Sequence, residues 1–433
     1  MKTLKKILKR IGITLLILIV VFIVGLVVFL NYKAVLARHK IAGIEDYASS
    51  VTEISIPDSA RIVGLGEASH GNIEFQELKL TVLQNLVQNY GYCAFGLELD
   101  FGESLAINDY IQGGGGSARD LVNQTSFPIY HTEQIVELIE WMRSYNESAS
   151  AESKIRFYGF DMQNTQASAD YLIKFCKDRS ISGIDDVLDT LTPLTDVDAE
   201  MDEESAFALK QNLETIAATL EKYKAEELDL QYESALQATN TLHQAMASFE
   251  VHGEKYYDYR DGCMAQNVSW ILNLEDAIGS GKIMIAAHNG HVTKSWSDNT
   301  MTMGRYLEQE YKDAYYAIGT DFFTADININ TSSMVDDKPS RGNHHFCSAD
   351  PLAYQARSMP DKMYYLDFSK VTEESSDLYK QIHTDTPMAN IGEGYMWVWY
   401  LFPDSVYRPA QTPVDMYDSM IYVYKAHPIS VFE

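Results

Sequence analysis

Two histidine-bearing turns carry the chemistry this sequence can support. Arg61-Ile-Val-Gly-Leu-Gly66 is a short apolar run that stops on Glu67, with His70 three residues further on in Gly64-Leu-Gly-Glu-Ala-Ser-His-Gly71. Lys282-Ile-Met-Ile-Ala-Ala287 stops on His288, with Asn289, Gly290 and His291 following. Three more runs end on an acid: Cys93-Ala-Phe-Gly-Leu97 on Glu98, Ile155-Arg-Phe-Tyr-Gly-Phe160 on Asp161, and Tyr315-Tyr-Ala-Ile-Gly-Thr320 on Asp321. One strand that ends in an acid is ordinary turn chemistry. Five such endings, two with histidine, predict a single rim at the carboxyl ends of parallel strands, where open α/β sheets bind ligands.

Imidazole titrates near neutrality and suits general acid–base work. On a tight turn, Glu67 can hold one ring nitrogen of His70 and leave the other for a water. Glu98, from the neighbouring strand, can serve instead. A carboxylate partner fixes the tautomer and stabilises the imidazolium. His288 and His291 are then candidates to donate to a developing oxyanion or leaving group. There is no Gly-x-Ser-x-Gly elbow, and Ser69 adjoins His70 too directly to point with it, so the pattern predicts activated water without an acyl-enzyme. The rival is a divalent metal: His288-x-x-His291 with His70 and a carboxylate supplies ligand types of a catalytic zinc or manganese site. A ligand-binding protein without chemistry is a third reading, which the gathering of titratable groups disfavours.

The elements between the runs read as helices. Glu74 to Tyr90 puts Leu78, Leu83, Leu86 and Val87 on one face, and Thr132 to Tyr145 has a Thr132 cap and a stripe of Ile135, Leu138, Ile139 and Met142. Strand–helix alternation predicts an α/β fold, a mostly parallel central sheet flanked by helices. Residues 184–252 are acidic, poor in Gly and Pro, and without a strand pattern. They read as a helical insertion, with long helices at Ala206 to Tyr223 and Tyr232 to Phe249, placed over the cleft. Gly113 to Gly116 lacks the Lys-Ser/Thr of a phosphate loop and reads as flexible. Met363 to Phe368 and Met420 to Lys425 read as late strands, and His344-His345 as part of an exposed loop.

At the N-terminus, Lys2, Lys5, Lys6, Lys9 and Arg10 precede Ile11 to Leu30, which is free of charge. A run of roughly 20 apolar residues is long enough to span a bilayer. The residues divide into a cytosolic basic segment (1–10), a transmembrane anchor (11–31) and a catalytic domain (41–433), the last outside the cytosol by the positive-inside rule. Ala34 and Ala37 offer a cleavage site as the alternative. The chain carries 34 basic and 61 acidic residues for a net charge of −27, and none of the acids falls in residues 1–40. The body is therefore strongly acidic, which excludes nucleic acid as a partner. Cys93, Cys176, Cys263 and Cys347 are widely spaced, and nothing in their pattern demands a disulfide.

Several blocks together resemble the erythromycin esterase family. They are Gly66-Glu-Ala-Ser-His-Gly71 with Glu74-Phe75, Leu97-Glu98, Gly159-Phe-Asp-Met-Gln163, Arg260-Asp261 with Met264, Asn267 and Trp270, and His288-Asn-Gly-His-Val292 with Met303-Gly304. Order and spacing agree over roughly residues 60–325, and the tail from Met363 to Pro428 fits more loosely. The resemblance implies an α/β core with a helical subdomain over a deep cleft, and hydrolysis of a macrocyclic lactone by activated water without a required metal or other cofactor. It assigns the general base to His70, supporting carboxylates to Glu67 and Glu98, and further site positions to His288, His291, Asp161 and Arg260. Where macrolide-active members are expected to carry an arginine, this chain has Lys79, a charge without the planar fork. That departure, and the anchor, leave the small-molecule ester or lactone substrate open.

Overall fold

The computed structural model describes residues 2–196, 199, 201–296, 300–332 and 340–432. Eight of the strands among the described residues organise it: β1 (Ile62–Glu67), β2 (Ala94–Asp100), β3 (Arg156–Asp161), β4 (Ile283–His288), β5 (Tyr315–Thr331), β6 (Ser340–Cys347), β7 (Met363–Asp367) and β8 (Ser419–Ala426). The sheet runs β3-β2-β4-β1-β5-β8-β7. Its pairs are parallel from β3 to β8, and β7 closes the edge antiparallel. Residues of β1 to β4 are buried on both faces, as a helix-covered parallel sheet requires. Val63, Leu65, Met284 and Ala286 pack on one side with Leu78, Leu86, Ile135 and Leu138, while Ile62, Ile283 and Ile285 pack on the other with Val268, Ile271 and Leu307. The fold is thus the mostly parallel α/β sheet that the alternation predicts.

Register is what gathers the site. Glu67 pairs with His288 across β1 and β4, and Leu97 pairs with Ala286, so Glu98 lies within one residue of that level. β5 departs from expectation. It continues past Asp321 to Thr331, because Asp326-Ile-Asn-Ile-Asn330 alternates buried apolar with outward polar residues and pairs antiparallel with β6. The same pairing puts His344 and His345 in a strand rather than a loop, with His345 Nδ1 2.8 Å from Asp326 Oδ1.

The stretch 184–252 forms long helices at Glu203–Leu220 and Leu230–Ser248, with residues 197, 198 and 200 outside the described ones. These helices bury their own cluster, including Leu213, Ile216 and Leu242, against the Gln166–Asp178 helix. Fully buried Asn267 ties them to the core: its Oδ1 accepts from Gln237 (2.9 Å), and its Nδ2 donates to Gln244 Oε1 (3.0 Å) and Phe160 O (2.9 Å).

The first helix, Lys2–Leu36, contains an 18-residue window, Lys9–Leu26, with mean hydropathy 2.4 and no part buried. It is long and apolar enough to cross a membrane. Its far end packs on the body through buried Ala34 and Ala37 and through Lys33, 2.6 Å from Asp404. All four cysteines are free thiols; Cys93, Cys176 and Cys263 are buried and Cys347 half-buried. Burial pushes the thiols of Cys176 and Cys263 up to about 11.

Candidate active site

β1 delivers Glu67 to its end, and the turn that follows brings His70 back over it. The turn is held by Ala68 N–H donating to Thr320 Oγ1 (2.9 Å), Ile391 N–H donating to Ala68 O (2.9 Å), and Ser69 Oγ donating to Asn72 Oδ1 (2.5 Å). Gly66 is needed here: a Cβ would lie 2.2 Å from Oδ1 of Asn289, whose side-chain amide is fixed by hydrogen bonds, Nδ2 donating to Thr320 O and Oδ1 accepting from Thr320 N–H. Ser69 is fully buried, with its hydroxyl committed to Asn72.

Glu67 is almost fully buried, with His70 Nδ1 2.7 Å from Oε1 and Lys79 Nζ donating to Oε2 at 2.5 Å. Burial pushes this carboxyl up, but the charge of Lys79 and the hydrogen bond from His70 outweigh it and hold the group below its ordinary range. Lys79 is only 1% exposed. It sits on the inward face of the Ile73–Tyr90 helix, where a lysine is expected to face water; the anion beneath it explains the position. Burial lowers His70, and the hydrogen bond and charge of Glu67, with Glu98 behind, more than reverse this, so its pKa lies above 6.5.

The second ion cluster is centred on Arg260, from the Lys255–Ile278 helix. Its Nε and Nη2 clasp Asp161 (3.1 and 2.6 Å), and Nη2 also donates to Glu98 Oε1 at 2.9 Å. The other Glu98 oxygen accepts the backbone N–H of His288 at 2.8 Å. His291 lies between two carboxylates, Nδ1 2.8 Å from Asp261 Oδ1 and Nε2 3.3 Å from Glu98 Oε1. Burial lowers its pKa, but Asp261 and Glu98 raise it to about 10. The ring is therefore an imidazolium, and its 3.2 Å approach to Arg260 Nη1 is a contact of two cations held by shared anions rather than a hydrogen bond. Glu98, buried yet faced by His291 and Arg260, is held well below the usual carboxylate range.

His288 is the neutral member. Burial, then the neighbouring His70 and His291, lower it to about 3. Gly290 N–H donates to its Nδ1 at 3.3 Å, which places the ring proton on Nε2, and buried Nε2 has no protein partner. Its ring centroid lies 5.0 Å from that of His70. Beside it a cavity of about 610 Å³, the size of a small-molecule pocket, is lined by Asp261, His288, His291, Trp296 and Asn390.

The structure therefore brings Glu67, His70, Lys79, Glu98, Asp161, Arg260, His288 and His291 together. Asp321 does not join them. It is buried within β5, accepts from Phe322 N (2.6 Å) and Ala389 N (3.3 Å), and is pushed up by burial and by the neighbouring Asp350. Two residues at the site have no signal in their local sequence. Tyr130, from the Pro128–Tyr130 turn, has its ring centroid 5.9 Å from Lys79 Nζ and a buried hydroxyl without a partner. Asn390 lines the cavity from a late loop, with its own Oδ1 unpartnered.

The family model described as erythromycin esterase matches residues 87–426. The chain belongs to the erythromycin esterase family. The erythromycin esterase type II of Escherichia coli is 27% identical over 292 residues, 60% of this chain and 68% of that protein. The E. coli type I enzyme is 23% identical over 292 residues, 59% of this chain and 68% of that one. Among solved structures, a Bacillus cereus protein overlays with a TM-score of 0.74 at 21% identity, covering 93% of this chain and 99% of its own. An erythromycin esterase mutant in its open conformation overlays at 0.62 and 16% identity, covering 87% and 93%. At these identities the overlays show the shared fold. Membership makes the chain a hydrolase of the erythromycin esterase family.

Proposed function

We propose that this protein is a membrane-anchored, extracytoplasmic hydrolase that opens a carboxylic ester or macrolide lactone with water activated by His70. The observation that carries the reading is the pairing of two unlike histidines 5.0 Å apart: His70 held basic by Glu67, and His288 held neutral with a free Nε2–H. His70 donates Nδ1–H to Glu67, which turns the Nε2 lone pair to a water. Water oxygen bonds to the carbonyl carbon as its proton passes to Nε2. The carbonyl π pair moves to oxygen, and the His288 Nε2–H donates to that oxyanion. Collapse re-forms the carbonyl and breaks the C–O bond, and the imidazolium returns its proton to the departing alkoxide. The products are an acid and an alcohol, joined in one chain if the substrate is a lactone.

In this scheme Lys79 keeps Glu67 ionised, while Arg260, Asp161, Asp261 and His291 hold Glu98 and thereby the His288 backbone. They act through other groups rather than on the substrate. No step calls for a metal. His70 Nδ1 is taken by Glu67, and His291 is flanked by a guanidinium whose fixed charge disfavours a dication. Among the described residues no group of three His, Cys, Asp or Glu side chains is arranged to hold one. The exposed apolar helix after a basic N-terminus supports the anchored topology.

The test is mass spectrometry of erythromycin incubated with the full chain and with His70→Ala. Gain of one water with the wild type alone supports lactone hydrolysis and the base. Turnover of simple esters without change to erythromycin removes the macrolide. Equal turnover by His70→Ala overturns the mechanism.

A further inference from the structure

Outside the N-terminal helix, exposed large apolar side chains concentrate in one short segment. Trp397 is 62% exposed and Phe402 60%, with Tyr400, Leu401 and Val406 at 37% each. The segment is rooted rather than loose: Tyr400 stacks on Phe346 at 5.8 Å and donates its hydroxyl to His345 O at 2.6 Å, and Trp399 meets Tyr395 edge-on at 5.9 Å. Folding thus holds an apolar tip toward solvent at a hydration cost, the usual mark of an interaction surface.

Its position identifies the partner. Asp404, within the segment, is the residue that pairs with Lys33 of the first helix at 2.6 Å. Lys33 lies three residues beyond Leu30, the last of the uncharged run, hence about 4.5 Å further along the helix axis. If that run spans the hydrocarbon, Asp404 and its neighbours lie at headgroup depth. Trp and Tyr concentrate at that level in membrane proteins, with basic residues beside them. Tyr32, 43% exposed on the same helix, and Lys33 complete that composition. Buried Ala34 and Ala37 fix the helix to the body, so the depth of one sets the depth of the other.

We propose that residues 397–406 are a lipid-docking surface, seated at the boundary of headgroups and acyl chains as a second attachment beside the spanning helix. The proposal rests on the anchored reading given above. The same loop region supplies Asn390 to the site cavity, so docking ties one wall of the site to the membrane surface.

The full chain, with Cys347→Ser to silence the half-buried thiol, is reconstituted in phosphatidylcholine vesicles with a fluorophore on Phe402→Cys or, separately, on Val406→Cys. Phe207→Cys, on the helical insertion, is the control. Vesicle flotation reports the anchor; quenching by lipids doxylated near the headgroup reports the docking. Flotation with quenching at residues 402 and 406 several-fold above residue 207 supports the proposal. Flotation with quenching equal at all three overturns docking and leaves the anchor standing. Disulfide cross-linking of Phe402→Cys between copies, without quenching, overturns it in favour of a self-interface. A chain that does not float overturns the anchored reading and the docking with it.

Discussion

Replacing Lys79 by Met removes a charge from one of the most buried positions in the molecule and keeps the volume of the stem. The Nζ lies 2.5 Å from Glu67 Oε2, with Lys79 1% and Glu67 2% exposed. At an effective dielectric of 20, a separation of 2.5 Å corresponds to about 6–7 kcal/mol of attraction before desolvation is charged against it. Loss of one partner of such a pair costs about 3–5 kcal/mol, because the other charge stays buried. His70, 2.7 Å from the other oxygen, offsets part of this when protonated. Its folded pKa is raised, so its contribution is complete below its unfolded value and is lost as pH rises through the folded one. Lys79→Met is therefore expected to lose about 3–5 kcal/mol in alkaline solution and less in mildly acidic solution, measured by urea unfolding followed by circular dichroism. Glu67→Gln/Lys79→Met removes both charges and is expected to recover most of the loss. A double variant as unstable as the single one, or a single-variant loss below about 1 kcal/mol, would refute the reasoning.

Other outcomes follow from the same geometry. The acid limb of kcat/KM against pH is expected above 6.5, since the base is active only when His70 is neutral; Glu67→Gln should move the limb downward, because burial then acts with less opposition. His288→Phe keeps a ring but not the Nε2–H and should lower kcat by about 10²–10³ with KM little changed, read in steady-state assays. Gly66→Ala would drive a methyl into Asn289 Oδ1, so loss of activity together with a lowered melting temperature is expected. Prolonged chelation should leave turnover unchanged; activity restored only by added metal would return the histidines to a ligand role.

The sheet was legible because parallel strands buried on both faces are continuous apolar runs, and each of the first four stops on an acidic residue or a histidine at the open edge. Much of the candidate site was legible for the same reason: Glu67, Asp161 and His288 end their strands, and Glu98 lies two residues short of the end of β2, which runs on to Asp100. β5 misled because its apolar run, Tyr315 to Thr320, is followed by alternation, a second strand pattern without a break; Asp321 falls at the join and is buried rather than presented. Lys79 could be placed on its helix but not inside the protein, since the anion that draws it inward lies on another element. Arg156, which clasps buried Glu275 through Nε at 2.6 Å, was hidden for the same reason, the two lying 119 positions apart. Tyr130 and Asn390 arrive from loops, where no periodicity marks which side chain turns inward.

On the proposed extracytoplasmic reading, the state of the cysteines bears on how the domain matures. Four thiols without a bridge mean that folding requires no oxidation step and no isomerase to correct mispairing. The same burial that raises Cys176 and Cys263 to about 11 keeps them as thiols, the form that neither attacks a disulfide nor reacts readily with peroxide. On that reading the chain passes from a reducing cytosol to an oxidising exterior without a change in covalent structure, held by packing and by buried ion pairs rather than by bridges.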